Sequence, residues 1–468
     1  MTQPAPAPTA QEAPDPRRWR ILGMVGIAQL MLILDVTVVA IALPHMGADL
    51  GLSRETLTWV VSGYTLTFGG LLLLGGRAAD LFGPRRLVLA GLAVFAAGSL
   101  AAGLADSGAV LLSGRIAQGV AAAMLSPAAL SLVVTIFEGE ERNKALGIWS
   151  ALGGSGAALG VLLGGLLTAG PGWSWVFFVN VPVAVILLAT LATQLPAPGL
   201  PVNRSGAPRG RLDLLGAALA TAGTATLIYA VIRAGEHGWA TTTTFGLIAG
   251  SVVLYVAFVV RQRTSAQPLM DLGLLARRPV AVGTLLIMVA TALMIAVFFL
   301  GTFYLQHYQE YSALKTGLLF LPVALATMAG ANLAGRSIGS LGARTLGVLG
   351  LLVAAAGMAI PALASGTTML IIGVAIAASG TGVMFVVASA TALGQVAPHE
   401  AGIASGIVST FHEFGASLGA AVVSSVAASS IAGRGTAGFE HGFTAGAITA
   451  LVTAVVAFVL TPKPQATT

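Results

Sequence analysis

Apolar runs of about twenty residues follow one another along this chain, and each is enough for one helical crossing of a bilayer. Fourteen can be marked: Ile21 to Leu43, Thr56 to Gly75, Leu87 to Ala105, Ala109 to Leu130, Ala145 to Thr168, Val176 to Leu195 and Leu212 to Arg233, then Thr243 to Val260, Val280 to Phe303, Leu314 to Gly335, Arg344 to Pro361, Thr368 to Leu393, Ile403 to Ser429 and Phe443 to Leu460. Charge is too scarce for a soluble alternative. Of 468 residues only 9% are charged, against about 25% in an average globular chain. The sequence therefore predicts an all-α polytopic membrane protein with the lipid bilayer as its solvent. The net charge of +6 does not point to nucleic acid, because the basic residues are scattered between apolar runs. Cysteine is absent, which excludes disulfides and thiolate chemistry.

Residues 1–20, rich in Ala and Pro and ending in Arg17, Arg18 and Arg20, read as a disordered tail. The run behind them is too long for a signal-peptide core and is expected to stay as the first span. Cytoplasmic loops collect Lys and Arg. With the N-terminus inside, 18 of the 23 basic residues are cytoplasmic, Arg54, Arg233, Lys315 and Arg434 face out, and Arg115 lies within a span. Both termini are therefore expected in the cytoplasm.

A repeat is also visible: Gly76-Arg77 and Gly83-x-Arg85 recur 259 positions later as Gly335-Arg336 and Gly342-x-Arg344. The copies follow spans 2 and 10, an offset that two six-helix halves separated by two extra helices would give. The expected organisation is a tail over 1–20, a six-helix bundle over 21–195, a linker and two inserted helices over 196–278, a second bundle over 279–462 and a cytoplasmic tail over 463–468. Transporters use repeated halves of this kind, with a site at the interface.

The segment Gly76-Arg77-Ala-Ala-Asp80-Leu81-Phe-Gly83-Pro84-Arg85-Arg86 resembles the signature loop of the major facilitator superfamily, Gly-x-x-x-Asp-basic-x-Gly-basic-basic. Other segments are similar to that superfamily's 14-helix drug:proton antiporters: Leu34-Asp35 through Pro44, Trp59 to Tyr64, Arg115-x-x-Gln118-Gly119, Trp173 through Asn180 to Pro182, and Tyr304-Leu305-Gln306. The resemblance covers nearly the whole chain. It implies the major facilitator fold, alternating access and multidrug efflux driven by protons. Leu81 and Pro84 depart from it, standing where basic residues are usual, as does Val161, standing where the antiporter motif of span 5 has proline. His412-Glu413 stands where relatives usually carry Arg-Gln.

A charged acid at the centre of a bilayer costs roughly 2.5 to 3.5 kcal/mol, so it is neutral, paired or wet. Asp35 lies about 12 Å from the outer end of span 1 and Arg115 about 9 Å below the outer end of span 4, so their depths match. Burial and a neighbouring guanidinium pull an acid's proton affinity in opposite directions, and a transporter that moves Asp35 between such surroundings can load and unload a proton. A permanent Asp35–Arg115 pair that only fixes packing is the other reading; the resemblance favours coupling. His412 and Glu413 form a second ionisable spot, about 15 Å into span 13. Glu413 reads as an added proton or cation site and His412 as a replacement positive charge, or both simply hydrogen-bond their neighbours.

Gly153, Gly156, Gly160 and Gly164 make one stripe for close backbone approach; the resemblance implies that it seals the two halves together. It also implies a conformational latch made of Gly76, Arg77, Asp80, Gly83, Arg85 and Arg86, with Asp80 approaching a helix N-terminus or an arginine. Met31, Trp59, Tyr64, Gln118, Phe298, Phe385 and Phe411 are candidate walls of a substrate cavity, although Phe and Met on membrane helices also face lipid or core.

No phosphate-binding Gly-x-x-x-x-Gly-Lys-Ser/Thr loop and no paired-histidine metal spacing occurs. An enzyme, an ATP-driven pump, a cofactor and a metal are therefore not expected. The expectation is a monomeric proton-coupled transporter of the bacterial cytoplasmic membrane that exports hydrophobic or amphipathic drugs, cationic ones included. Proton-coupled import of a small organic solute and a membrane-embedded lipid-handling enzyme are the alternatives.

Overall fold

A backbone in lipid must satisfy its own N–H and C=O groups, and a helix does so locally. The computed structural model describes residues 17–137, 139–195, 212–394, 396, 400–431 and 435–461. Its long helices are α1 (Arg18–Leu50), α2 (Arg54–Phe82), α3 (Pro84–Gly103), α4 (Gly108–Ile136), α5 (Gly139–Ala169), α6 (Trp175–Gln194), α7 (Leu214–His237), α8 (Thr242–Thr264) and α9 (Arg278–Tyr308). One continuous segment, Ala313–Leu363, turns at Gly342 (φ 77°) into α10 (313–341) and α11 (343–363). Helices α12 (Thr367–Leu393), α13 (Ala401–Val426) and α14 (Ala437–Leu460) follow. Among the described residues twelve helices are long and apolar enough to span a membrane. Division of the 51-residue segment at Gly342 and the apolar stretch Leu159–Ala169 of α5 bring the number to fourteen. The expected tail through residue 16, the linker over 196–211 and the tail over 463–468 lie outside the described residues.

Helix ends differ from the apolar runs where hydrogen bonding outlasts hydrophobicity. Helix α1 continues through Pro44 to Leu50, a proline being tolerable where neighbouring helices satisfy the freed carbonyl. Helix α2 continues to Phe82, so Gly76 to Asp80, expected in a loop, are helical. The loop shrinks to one residue, Gly83 (φ 89°), with Pro84 already in the first turn of α3.

The repeat extends far beyond the two glycine-arginine pairs. Helices α2, α3 and α4 begin at residues 54, 84 and 108, and α10, α11 and α12 begin at 313, 343 and 367, each 259 positions on. A Cβ on Gly98 would fall 3.0 Å from the Gly114 carbonyl, and one on the counterpart Gly357 would fall 2.6 Å from the Gly373 carbonyl. Both halves thus bring α3 onto α4, or α11 onto α12, through small residues. Arg85 donates to the Ala192 carbonyl near the end of α6 (2.7 Å), and its counterpart Arg344 lies over the Phe458 ring near the end of α14 (4.3 Å).

In the first half α4 packs on α2 and α3, α1 on α5, and α3 on α6; in the second half α9 packs on α12 and α13. The halves meet along α2–α13, and along α5–α10 through Gly165 and Gly317. Helices α7 and α8 form a hairpin, and α7 lies against both α2 and α13. The even number of crossings leaves both chain ends on one side, called the near end below, and puts the opposite loops at the far end.

Candidate functional site

The first half encloses a polar cluster drawn from five helices. Asp35 on α1 pairs with Nη1 of Arg115 on α4, and both residues are 1% exposed. Gln118, one turn further along α4, donates to Asp35 Oδ1 (3.0 Å) and accepts from Arg115 (2.8 Å). Asn180 of α6 also donates to Asp35 Oδ1 (3.3 Å), while the Gln118 amide donates to Ser99 of α3 (2.9 Å). Arg115 Nε donates to the Val60 carbonyl of α2 (2.9 Å), and its guanidinium lies over the Tyr64 ring, 4.4 Å from the centroid. Tyr64 in turn donates to the Leu32 carbonyl (3.2 Å). A buried charge is tolerated only when it is paired and its remaining lone pairs are satisfied, and three side-chain donors on two helices do this for Asp35.

The cluster has no counterpart in the second half. The residues 259 positions after Asp35, Ser99, Arg115 and Gln118 are Met294, Met358, Val374 and Ala377. The scaffold is repeated, but its ionic equipment is not.

Glu413 and His412 occupy the seam between the halves, touch each other and differ in exposure. Glu413 is 9% exposed and lies against α2, where a Cβ on Gly69 would fall 2.5 Å from the Glu413 Cβ. The His412 ring keeps 38% of its side chain exposed, 5.8 Å from the Phe385 ring, and its Nδ1 contacts Glu413 Oε1 at 3.2 Å. Toward the far end the α2–α13 seam is polar: Thr65 Oγ1 meets Ser417 Oγ (2.6 Å), Ser62 donates to the Ser417 carbonyl (3.2 Å), and Thr58 Oγ1 meets Ser424 Oγ (2.6 Å). On the other flank Gln306, in a π-helical turn ending α9, donates to the Ile41 carbonyl of α1 (2.9 Å). Each of these contacts joins the halves in the far portion of the bundle, so that end is closed.

The expected cavity walls are spread over several packing clusters. Met31 and Tyr64 are buried in the core of the first half, and Gln118 belongs to the Asp35 cluster. Phe298 is buried against Phe320 (5.3 Å) in the second half. Trp59 packs toward the inserted helix α7, and Phe411 packs toward Met270 and Leu274 near the short helix before α9. Phe385, beside the exposed His412 ring, is the candidate best placed at the seam.

The glycine stripe of α5 faces α1 and not the other half. A Cβ on Gly156 would meet Ile33, one on Gly160 would meet Thr37, and one on Gly164 would meet Val38. Gly153 lies on the same helix. The approach between halves is made instead by Gly165, whose Cβ would fall 2.8 Å from the Ala313 carbonyl, because that residue lies about 100° around the helix from Gly164. In the signature segment Arg77, Asp80 and Arg86 are exposed, and Asp80 makes no ion pair among the described residues. No motif in the sequence singles out Ser99 or the hydroxyls of Thr58, Ser62, Thr65, Ser417 and Ser424. Their spacings of three, four and seven, which put each set on one helix face, were the available signal.

Two repeated helical halves, meeting along polar seams inside the membrane, define a multi-pass membrane transporter. The Major Facilitator Superfamily sequence model matches residues 25–420, and the chain belongs to that family. It is thus a transporter of small molecules and not an enzyme. The puromycin resistance protein pur8 of Streptomyces alboniger is 42% identical over 89% of this chain and 83% of that protein. The cephamycin export protein CmcT of Amycolatopsis lactamdurans is 38% identical over 88% of this chain and 84% of its own. Among solved structures, the peptide transporter POT in complex with sulfate shares the fold with a TM-score of 0.66 at 17% identity, covering 94% of each chain.

Proposed function

We propose that this protein exports hydrophobic or amphipathic drug-like compounds from the cytoplasm in exchange for protons, with Asp35 as the proton carrier and Arg115 as the group that competes with the proton. The observation that carries this reading is the sealed Asp35–Arg115–Gln118–Asn180 cluster, present in one half and replaced by apolar residues in the other. Two relatives, a puromycin resistance protein and a cephamycin export protein, support export as the direction and drugs as the cargo.

Both termini are cytoplasmic in this reading, so the far end is external and the structure represents an externally closed state. Protonation of Asp35 removes its ion pair with Arg115. The donors on α4 and α6 then hold α1 less firmly, which couples proton binding to helix movement. Arg115 restores the pair when the proton leaves. One charge moving down 100 mV supplies about 2.3 kcal/mol and one pH unit about 1.4 kcal/mol. Together these sustain roughly a 500-fold gradient of a neutral compound per proton.

The test is reconstitution in liposomes containing a pH dye, with puromycin and a cephamycin as the first panel. Wild-type protein is expected to move protons opposite to drug, and Asp35→Asn to bind drug without moving protons. Drug-evoked proton flux of undiminished size in Asp35→Asn overturns the assignment, and flux in the same direction as drug overturns antiport.

A further inference from the structure

At the far end of the α2–α13 seam one side chain joins three helices. Arg54, in the first turn of α2, donates through Nη1 to the carbonyl and the hydroxyl of Ser424 on α13, both at 2.9 Å. Its Nη2 donates to the Ile232 carbonyl on α7 at 3.0 Å. A cation in the first turn of a helix meets the positive end of that helix's dipole, so α2 gains nothing by carrying it there. Ser424 is in the last turn of α13, and Ile232 is toward the end of α7. The Ser424 carbonyl belongs to the negative end of α13, where a cation is stabilised, and the Ile232 carbonyl lies about one turn before the end of α7. Helix α7 is also wedged between the halves. A Cβ on Gly235 would fall 2.6 Å from Ser425 Cα of α13, and one on Gly70 of α2 would fall 2.3 Å from Thr221 Oγ1 of α7. Leu66 of α2, Ile228 and Ile232 of α7, and Phe414 of α13 pack in one apolar cluster.

We propose that Arg54 is a positioning residue of the far-end gate and that the inserted helix α7 is a working part of that gate. The inference rests on the alternating-access reading above. When the far end opens, α2 and α13 part. Helix α7 then keeps its contact with only one of them, and the two-way hold of Arg54 is lost. The hairpin therefore stabilises the closed far end and sets how readily it opens.

The native absence of cysteine makes every introduced thiol unique. Three buried reporters serve: Ala313→Cys at the α5–α10 seam, Ala421→Cys in the apolar cluster with α7, and Ala184→Cys inside the first half as a control. Labelling by a membrane-impermeant maleimide from the far side reads opening. Arg54→Gln is expected to speed labelling of the first two about tenfold or more, tenfold being the low end for loss of a single charge-assisted hydrogen bond, with Arg54→Lys in between and Ala184→Cys unchanged. An unchanged Ala313→Cys rate overturns the role of Arg54, and an unchanged Ala421→Cys rate overturns that of α7. Faster labelling of Ala184→Cys means general loosening and also overturns the proposal. Alternating access is read separately: oxidised Thr58→Cys/Ser424→Cys protein is expected to stop transporting and to recover on reduction. Transport by the oxidised form defeats that reading whatever the labelling shows.

Discussion

Asp35 cannot release Arg115 by a rotamer change alone, because its donors sit on α4 and α6 and the whole cluster is closed to solvent. If Asp35 carries the proton as proposed, its exchange requires α1 to move against those helices, which ties a residue's chemistry to the conformational cycle. Gln118 holds the cluster from both sides, as donor to Asp35 and acceptor from Arg115. Gln118→Ala leaves buried polar groups unmatched and is expected to cost about 1–3 kcal/mol, seen as a lower thermal midpoint in detergent. Glu413 provides the contrasting case, buried at the seam beside an exposed imidazole. Glu413→Gln is expected to keep pH-driven export that Asp35→Asn loses. The reverse result in a proton-flux assay would move the coupling site to the second half. The depth of Asp35 and Arg115 was legible from residue counts along spans 1 and 4. The contributions of Ser99 and Asn180 were not, since a hydroxyl or amide on a membrane helix says nothing of its azimuth until neighbours are fixed.

Individual helices owe their fit to small residues and to caps. Gly160 admits Thr37 so closely that a Cβ would fall 1.8 Å from its Oγ1. Gly160→Ala is therefore expected to destabilise the α1–α5 contact by about 1–3 kcal/mol through overpacking, measurable as a loss of monodisperse protein on heating. The inserted hairpin is closed at the near end by Asp213, whose side chain caps α7 through the Gly216 N–H (3.1 Å) and accepts from Arg261 (2.9 Å) and Gln262 (3.0 Å). Burial alone would raise this carboxyl's pKa, but those three hydrogen bonds outweigh it and hold the pKa below the ordinary value. A lowered folded-state pKa gives stability that is full above about pH 4 and is lost as pH falls through the lowered value. Asp213→Asn is expected to weaken the hairpin at pH 7, seen as faster hydrogen exchange at the start of α7. The gap from wild type should close in strong acid.

For the whole molecule, the described cross-half hydrogen bonds lie toward one end, and Asp80 at the other end is exposed and without an ion pair among the described residues. If Asp80 belongs to the conformational latch that the resemblance implies, Asp80→Asn is expected to slow transport by several-fold while equilibrium drug binding in detergent is retained. Loss of binding by folded protein would place Asp80 in the substrate site instead. Orientation is tested by reporters: fusions at the C-terminus and between residues 196 and 211 are expected to read as cytoplasmic, and one at Ser107 as external. Matching compartments for all three would refute the topology.

The sequence by itself determined that this chain lives in a membrane, how often it crosses, and that it is built twice, because hydrophobic length and residue spacing are one-dimensional properties. It also identified the signature segment and the one basic residue inside a span. Tertiary structure decided which neighbour each helix face meets. The stripe of α5 turned to α1, Trp59 turned to the inserted helix, and Arg54, read only as one of four outward-facing basic residues, joined both halves and the insertion. In lipid every face of an apolar helix reads alike in sequence, with no polar side to mark the outside. The partner of a face is therefore set by shape complementarity between distant segments, which only the assembled bundle specifies.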